Sequence, residues 1–168
     1  MQFFLRSGVV ALTGTLAALV AGAALAGTAS PAKIIVFKAK YAGIASVKVT
    51  DNVADIAAAG AGTATLLRAS KITGKGKGDA SQTPCVPFTG PGSMFNATGT
   101  KISFLVLPGS TGCGDQDESV PVSVSGRAKI VKGTRAYRNA KGTLKFSGVY
   151  DRVSGKFSIT FTGRITVP

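Results

Sequence analysis

Histidine and tryptophan are absent from this 168-residue chain, and only two cysteines and seven acidic residues occur in it. Without histidine, the usual base that activates a serine or cysteine nucleophile is missing, and two cysteines alone supply too few ligands for a structural metal site. Neither a G-x-S-x-G segment nor a G-x-x-x-x-G-K-[ST] phosphate loop is present. The composition therefore gives no support to common hydrolase or metalloenzyme chemistry, and we predict no catalytic residues, no metal and no other cofactor.

The first 26 residues have the pattern of an export signal. Arg6 precedes an apolar, uncharged stretch from Gly8 to Leu25, and Ala24-Leu25-Ala26 supplies an A-x-A cleavage motif. An uncleaved membrane anchor is the alternative, because about 18 apolar residues can just span a bilayer. We expect cleavage near Ala26, a secreted location (extracellular or in the cell envelope), and a single domain over residues 27–168, which is too short for two hydrophobic cores.

Both cysteines, Cys85 and Cys113, lie in the part of the chain that is expected to be exported. An oxidising compartment favours a disulfide between them. Closing a loop of about 29 residues should stabilise the fold by about 3–4 kcal/mol through the lower entropy of the unfolded chain.

Apolar and polar residues alternate with period two from Val120 to the C-terminus, which is typical of strands with one buried and one exposed face. The alternation resumes after short turns, so the strands are expected to be antiparallel neighbours. Ile35–Val49 follows the same pattern. Val53–Ala59 leaves a helix or a strand open, although the glycines that follow favour a strand. The count is about eight strands.

Two features favour a barrel over a sandwich. The strands are long and run in simple up-and-down order, and glycine recurs at inward positions, where it relieves crowding in strongly coiled strands. An immunoglobulin-type sandwich normally buries a tryptophan, which this chain lacks. The sequence therefore predicts an all-β fold, a single antiparallel eight-stranded barrel preceded by a signal peptide. The inward glycines are residues 43, 60, 62, 126, 148 and 163.

The connection from Lys132 to Leu144, KGTRAYRNAKGTL, resembles the G-T-G-x-[FY]-x-x-A-x-G connection of the allene oxide cyclase and dirigent-like barrels. A similar segment occurs in small secreted bacterial proteins of unknown function. The likeness covers Gly126 to Ile165 and departs from the pattern at Arg135, where the family has a second glycine. It implies a calycin-type barrel, often oligomeric, whose plant members guide cyclisation or coupling of small apolar molecules in the interior. No catalytic residue of the family falls within the matched stretch.

Within this connection, we expect Tyr137 and Ala140 to hold a single helical turn against one end of the barrel. Gly133 and Gly142 then permit the sharp bends on either side of that turn.

Lysine and arginine outnumber acidic residues by 20 to seven, and the excess is concentrated after Gly126. A surface of one sign attracts polyanions, although a solvated surface that keeps the protein soluble is the alternative. The aromatic residues have inward parity, so no stacking surface for sequence-specific nucleic-acid binding is expected. We predict an anionic cell-envelope polymer or acidic lipid head groups as partners. The predicted polyanion-binding residues are Arg127, Lys129, Lys145, Lys156 and Arg164.

The interior is expected to be either filled or hollow enough for one small apolar ligand, and the sequence leaves both open. Bulky aromatics opposite small residues favour solid packing, and a pocket is the alternative. A non-catalytic barrel that binds through its basic surface is the first functional hypothesis, and a barrel that binds or isomerises an apolar molecule is the second. Leu105 and Leu107, apolar on the outer face, also predict a homo-oligomer contact. The candidate pocket residues are Phe37, Tyr41, Phe104, Phe146 and Tyr150.

Overall fold

The computed structural model describes residues 31–168, which form one closed antiparallel barrel. The predicted signal peptide, residues 1–26, lies outside the described residues. Within residues 31–168 no helix has the length and apolarity needed to cross a membrane. The strands are β1 (Lys33–Thr50), β2 (Val53–Ala64), β3 (Arg68–Asp79), β4 (Cys85–Phe95), β5 (Lys101–Val106), β6 (Thr111–Cys113), β7 (Val122–Gly133), β8 (Lys141–Tyr150) and β9 (Lys156–Val167).

The barrel closes because β1 pairs with both β2 and β9. Strands β5 and β6 are consecutive along the chain and together occupy one strand position in the wall, because each pairs with β4 on one side and with β7 on the other. Nine strands therefore occupy eight positions, and the predicted all-β, eight-stranded antiparallel barrel is confirmed.

Strand β1 runs unbroken and turns into β2 through two residues. Asp51 and Asn52 both have left-handed backbone conformations, with φ of 50° and 64°, as a two-residue hairpin turn requires. Gly43 lies opposite Gly60 across this hairpin. A Cβ atom at Gly43 would lie 2.1 Å from the carbonyl oxygen of Ala59, so only glycine permits this close approach of the two strands.

The strand favoured for Val53–Ala59 is confirmed and the alternative helix is excluded, because this segment pairs along its length with β1 and β3. Residues 108–118, for which no strand was predicted, contain β6, whose Cys113 lies directly opposite Cys85 of β4. The predicted disulfide joins these two residues and is confirmed.

The two ends of the barrel differ. We call the base the end formed by residues 65–67, 96–100 and 134–140, and the mouth the end formed by residues 51–52, 80–84, 114–121 and 151–155. A short 3-10 helix, Arg135–Tyr137, closes the base, with Tyr137 and Ala140 buried as the sequence predicted. The Tyr137 hydroxyl donates a hydrogen bond to the Thr65 carbonyl oxygen. The packed core lies toward this end and includes Phe37, Leu67, Met94, Ile102, Leu144 and Ile165.

Candidate functional site: a cavity at the mouth and a basic base

The half of the barrel next to the mouth is hollow and contains a cavity of about 1360 Å³. Three aromatic rings lie between this cavity and the packed core. The Phe161 ring lies 5.5 Å from that of Phe104 and 5.6 Å from that of Phe146, centroid to centroid. Phe157 lines the wall above them and is only half buried. The interior is thus filled at the base and open at the mouth.

The hollow arises from the small residues of β2 and β3. Ala45 of β1 lies opposite Ala58 of β2, which in turn lies opposite Gly74 of β3. All three line the cavity, facing the large side chains carried by β5, β8 and β9. A wall of methyl groups and bare backbone cannot reach across an eight-stranded barrel, so the space between is left open.

The candidate pocket residues are divided between the two halves. Phe104, Phe146 and Tyr150 line the cavity. Phe37 and Tyr41 belong instead to the packed core, because they lie on the part of β1 that is nearer the base. The Tyr41 hydroxyl shares a 2.8 Å hydrogen bond with Ser70 Oγ, and burial raises the pKa of this tyrosine. Of the two tyrosines among the candidate pocket residues, only Tyr150 lines the cavity.

Apolar side chains continue to the lip of the mouth. Val47 and Val49 have the same inward parity as Phe37, yet they are 40% and 60% exposed. Both line the cavity, together with Val122 and Val124 of β7. Apolar surface exposed in this way marks a site for an apolar ligand or partner.

Arg152 holds the long loop at the mouth in place. Its Nη2 donates to the carbonyl oxygens of Asp115, at 2.8 Å, and Val120, at 3.3 Å, and also to that of Asp117. The side chain lines the cavity, and its Nε atom is buried with no hydrogen-bond partner among the described residues.

Charge is divided between the two ends. Every aspartate and glutamate side chain lies in a mouth connection or within three residues of one, and we call this set the acidic rim. Hydrogen bonds from Ser81, Ser119 and Ser154 lower the pKa values of three of these carboxyls, which keeps them ionised at neutral pH. The acidic rim consists of Asp51, Asp55, Asp79, Asp115, Asp117, Glu118 and Asp151.

Away from the mouth, lysine and arginine occur without any aspartate or glutamate, and we call this part the basic half. Five further basic residues lie near the acidic rim, where charges alternate: Asp55 lies between Lys48 and Lys77 across the sheet and forms a 2.9 Å ion pair with Lys77. The basic half contains Lys33, Lys38, Lys40, Arg68, Lys71, Lys101, Arg127, Lys129, Lys132, Arg135, Arg138, Lys141, Lys145 and Arg164.

Four of the five predicted polyanion-binding residues form one group on the wall, and all five are exposed. Arg127 lies directly opposite Lys145, while Lys129 and Arg164 flank Thr143 from either side. Lys156 lies six residues along β9 from the level of Lys145, about 20 Å away, beside the acidic rim.

Closure of the barrel adds two residues that the sequence did not assign to this group. Lys38 of β1 pairs with Thr162, which lies next to Lys145, and Lys40 pairs with Thr160. Their outward parity was visible in the sequence, but the pairing of the first strand with the last was not.

Comparison with protein-family models, with curated proteins and with solved structures found no match to this chain.

The structure has the barrel that the resemblance to allene oxide cyclase and dirigent-like proteins implies. Membership of that family remains a prediction. Arg135, where the sequence departs from the second glycine of the family pattern, also has an unusual backbone conformation. This residue has a φ of 52°, in the left-handed region that favours the glycine of the family pattern.

Proposed function

We propose that this protein is a non-catalytic barrel that binds one small, largely apolar molecule in the cavity at its mouth. The observation that supports this most directly is the cavity of about 1360 Å³, walled by aromatic and aliphatic side chains and open at one end. Ligand pockets are commonly about 300–1,000 Å³, so this cavity has room for a molecule of ordinary ligand size together with water.

Binding, rather than conversion, fits the distribution of polar groups. The deep wall is formed by Phe104, Phe146 and Phe161, and the carboxylates lie at the exposed rim. An acid or base must lie within hydrogen-bond reach of the atom it acts on. A ligand whose apolar part rests on the phenylalanine rings meets Arg152 and Tyr150 nearer the mouth. Arg152 can donate hydrogen bonds to the polar end of the ligand, and the Tyr150 hydroxyl can donate or accept them.

A titration with N-phenyl-1-naphthylamine, a neutral apolar fluorophore, tests this proposal. We expect saturable binding that is abolished by Ala58→Trp, because an indole at that position fills the cavity next to Gly74. Ala59→Trp is the matched control, since Ala59 is the next residue along β2 and is exposed on the outer face. Binding that survives Ala58→Trp unchanged, or that is lost equally in both variants, would contradict a ligand site inside the barrel.

A second function is favoured by a separate observation, the absence of aspartate and glutamate from the basic half. Arg127 and Lys145 lie directly opposite each other, and like charges in that position destabilise a sheet. A bound polyanion would relieve this repulsion. We propose that the basic half attaches the protein to an anionic polymer or lipid surface, as its charge predicted.

Retention on a polyanion resin at increasing salt tests the attachment. We expect Arg127→Glu/Lys129→Glu/Lys145→Glu to elute at much lower salt than the unaltered protein. The control triple variant Lys48→Glu/Lys75→Glu/Lys156→Glu changes the net charge equally but lies near the acidic rim. An equal loss of retention in the two triple variants would show that binding depends on net charge alone and not on the surface around Arg127, Lys129 and Lys145.

We further propose export with cleavage after Ala26. The Cys85–Cys113 disulfide is compatible with an extracellular location. The mass of protein recovered outside the expressing cell should correspond to a chain that begins at Gly27. A recovered chain that retains residues 1–26 would contradict cleavage.

A further inference from the structure

The base has a second chemical character besides its charge, because large aliphatic side chains are exposed there. Ile34, at the start of β1, is 68% exposed, and Leu66, in the turn between β2 and β3, is 53% exposed. Val36 and Val131 are also exposed on the adjoining part of the wall. Exposed aliphatic side chains also occur at the mouth, among them Val49 and Val153. At the base they lie among lysine and arginine with no aspartate or glutamate side chain, and this combination marks an interaction surface.

Leu66 is held in an unusual backbone conformation. Its φ is 62°, in the left-handed region that costs a non-glycine residue about 1–2 kcal/mol. The residues on either side are fixed: Leu67 is buried in the core, and the Thr65 carbonyl oxygen accepts the hydrogen bond from Tyr137. The core therefore anchors a turn whose leucine is left in solvent. Strain retained at an exposed position in this way is a reason to look for a function.

Basic residues surround this leucine. Arg68 follows it in the same turn, and the neighbouring connection of the base contributes Arg135 and Arg138, all exposed. No aspartate or glutamate side chain lies at this end of the described chain. Binding to a soluble anionic polymer requires only positive charge on the protein surface. Positive charge combined with exposed aliphatic side chains is what binds at the boundary between lipid head groups and hydrocarbon.

We propose that the base docks on an anionic lipid bilayer, with Leu66 in the interfacial layer and the mouth directed away from the membrane. This inference rests on the proposed attachment through the basic half and specifies its partner and its orientation. Because mouth and base are opposite ends of the barrel, the cavity stays open to solvent in the docked protein. The same molecule can then be attached to the membrane and bind its apolar ligand.

The absence of tryptophan from the chain allows a direct test of orientation. Leu66→Trp and Val153→Trp each introduce a single fluorophore, one at the base and one at the mouth, where Val153 is 76% exposed. With vesicles of phosphatidylcholine and phosphatidylglycerol, we expect a blue shift and quenching by brominated lipid for Leu66→Trp, and neither for Val153→Trp. Quenching of Val153→Trp, or of both variants alike, would overturn the proposed orientation.

The contribution of Leu66 to affinity is measured by vesicle sedimentation. Leu66→Asn removes the aliphatic side chain, and asparagine tolerates the left-handed backbone, so this variant is expected to fold. We expect binding to anionic vesicles to weaken about five- to tenfold, and retention on the polyanion resin to be unchanged. Val153→Asn is the control and should bind as the unaltered protein does.

The outcomes separate the two proposals. Retention on the resin without binding to anionic vesicles would overturn the bilayer proposal and leave the attachment to anionic polymer standing. Failure to bind either would overturn both. Equal binding to neutral and anionic vesicles would also overturn the bilayer proposal, since it would show that the basic residues play no part.

Discussion

At the scale of single residues, Tyr137 determines whether the base stays closed. Its ring is fully buried and meets Phe37 edge-on, with centroids 6.4 Å apart, and its hydroxyl donates to the Thr65 carbonyl oxygen. Tyr137→Phe leaves that carbonyl without its partner. We expect a loss of about 1–3 kcal/mol in the free energy of unfolding at neutral pH, measured by urea denaturation.

The same substitution should change the response to alkali. Burial raises the pKa of Tyr137 above its usual range, and burial also raises that of Tyr41. A raised pKa means that the folded protein holds its proton more tightly than the unfolded chain does. The stabilisation is therefore complete below about pH 10 and is lost as the pH rises above it. The unfolding free energy should fall less steeply above about pH 10 in Tyr137→Phe, and parallel curves for the two proteins would contradict this account.

Arg135 offers a test of backbone strain. Its φ of 52° suits glycine, whereas arginine in this region carries a cost of about 1–2 kcal/mol. Glycine also makes the unfolded chain more flexible, which offsets part of the gain. We expect Arg135→Gly to raise the unfolding free energy by about 0.5–1 kcal/mol. Arg135→Ala removes the same side chain without relieving the strain, so it should give no such gain. Equal stability of the two variants would exclude strain at this position.

At the scale of elements, β6 is the strand that most depends on a covalent link. It has only three residues, and the Cys85–Cys113 disulfide ties its last residue to β4. Cys85→Ala/Cys113→Ala should lower the unfolding free energy by about 3–4 kcal/mol, because the unfolded chain regains the entropy of a loop of about 29 residues. Hydrogen exchange of the β6 amides should accelerate more than that of β8.

Reduction of the unaltered protein is the control for this prediction. It removes the covalent link without changing the side chains around it, so it should reproduce the loss seen in the double alanine variant. A reduced protein as stable as the oxidised one would show that the alanine variant is weakened by packing instead.

The strands of the second half were predictable because alternation is a local property. Inward and outward residues of β7, β8 and β9 can be assigned without knowing which strand lies beside which. The same holds for the inward parity of β1. Strand β6 was missed because three residues are too few to show a period. The position of Lys156 was missed because its distance from Lys145 depends on the register between β8 and β9.

The cavity was unpredictable for a related reason. Parity indicates that Phe37 and Val49 face the same side of the wall, but it does not indicate how far the opposite wall lies or how much of it is alanine and glycine. One of these side chains is in the packed core and the other is exposed at the mouth. On the outer face, Leu105 is 42% exposed in the single chain, as a contact with another copy would require. The homo-oligomer that this leucine and Leu107 predict remains a prediction.

At the scale of the whole molecule, the two ends of the barrel differ in packing and in charge. The base is filled, closed by Tyr137 and bordered by lysine and arginine without aspartate or glutamate. The mouth is hollow, apolar within and surrounded by the acidic rim. The closed end has the character of an attachment surface and the open end that of a ligand site. We therefore expect each proposed function to be removable by substitution at one end without loss of the other.

The methyl resonances of the protein, followed by NMR as N-phenyl-1-naphthylamine is added, test the central claim of a half-hollow barrel most directly. Val47, Val124 and Ile159 line the cavity, and Leu67, Leu144 and Ile165 lie in the packed core. The account predicts shifts and intermolecular contacts for the first three and unchanged resonances for the other three. Shifts confined to the core set, or none in either set while the fluorophore binds, would contradict it.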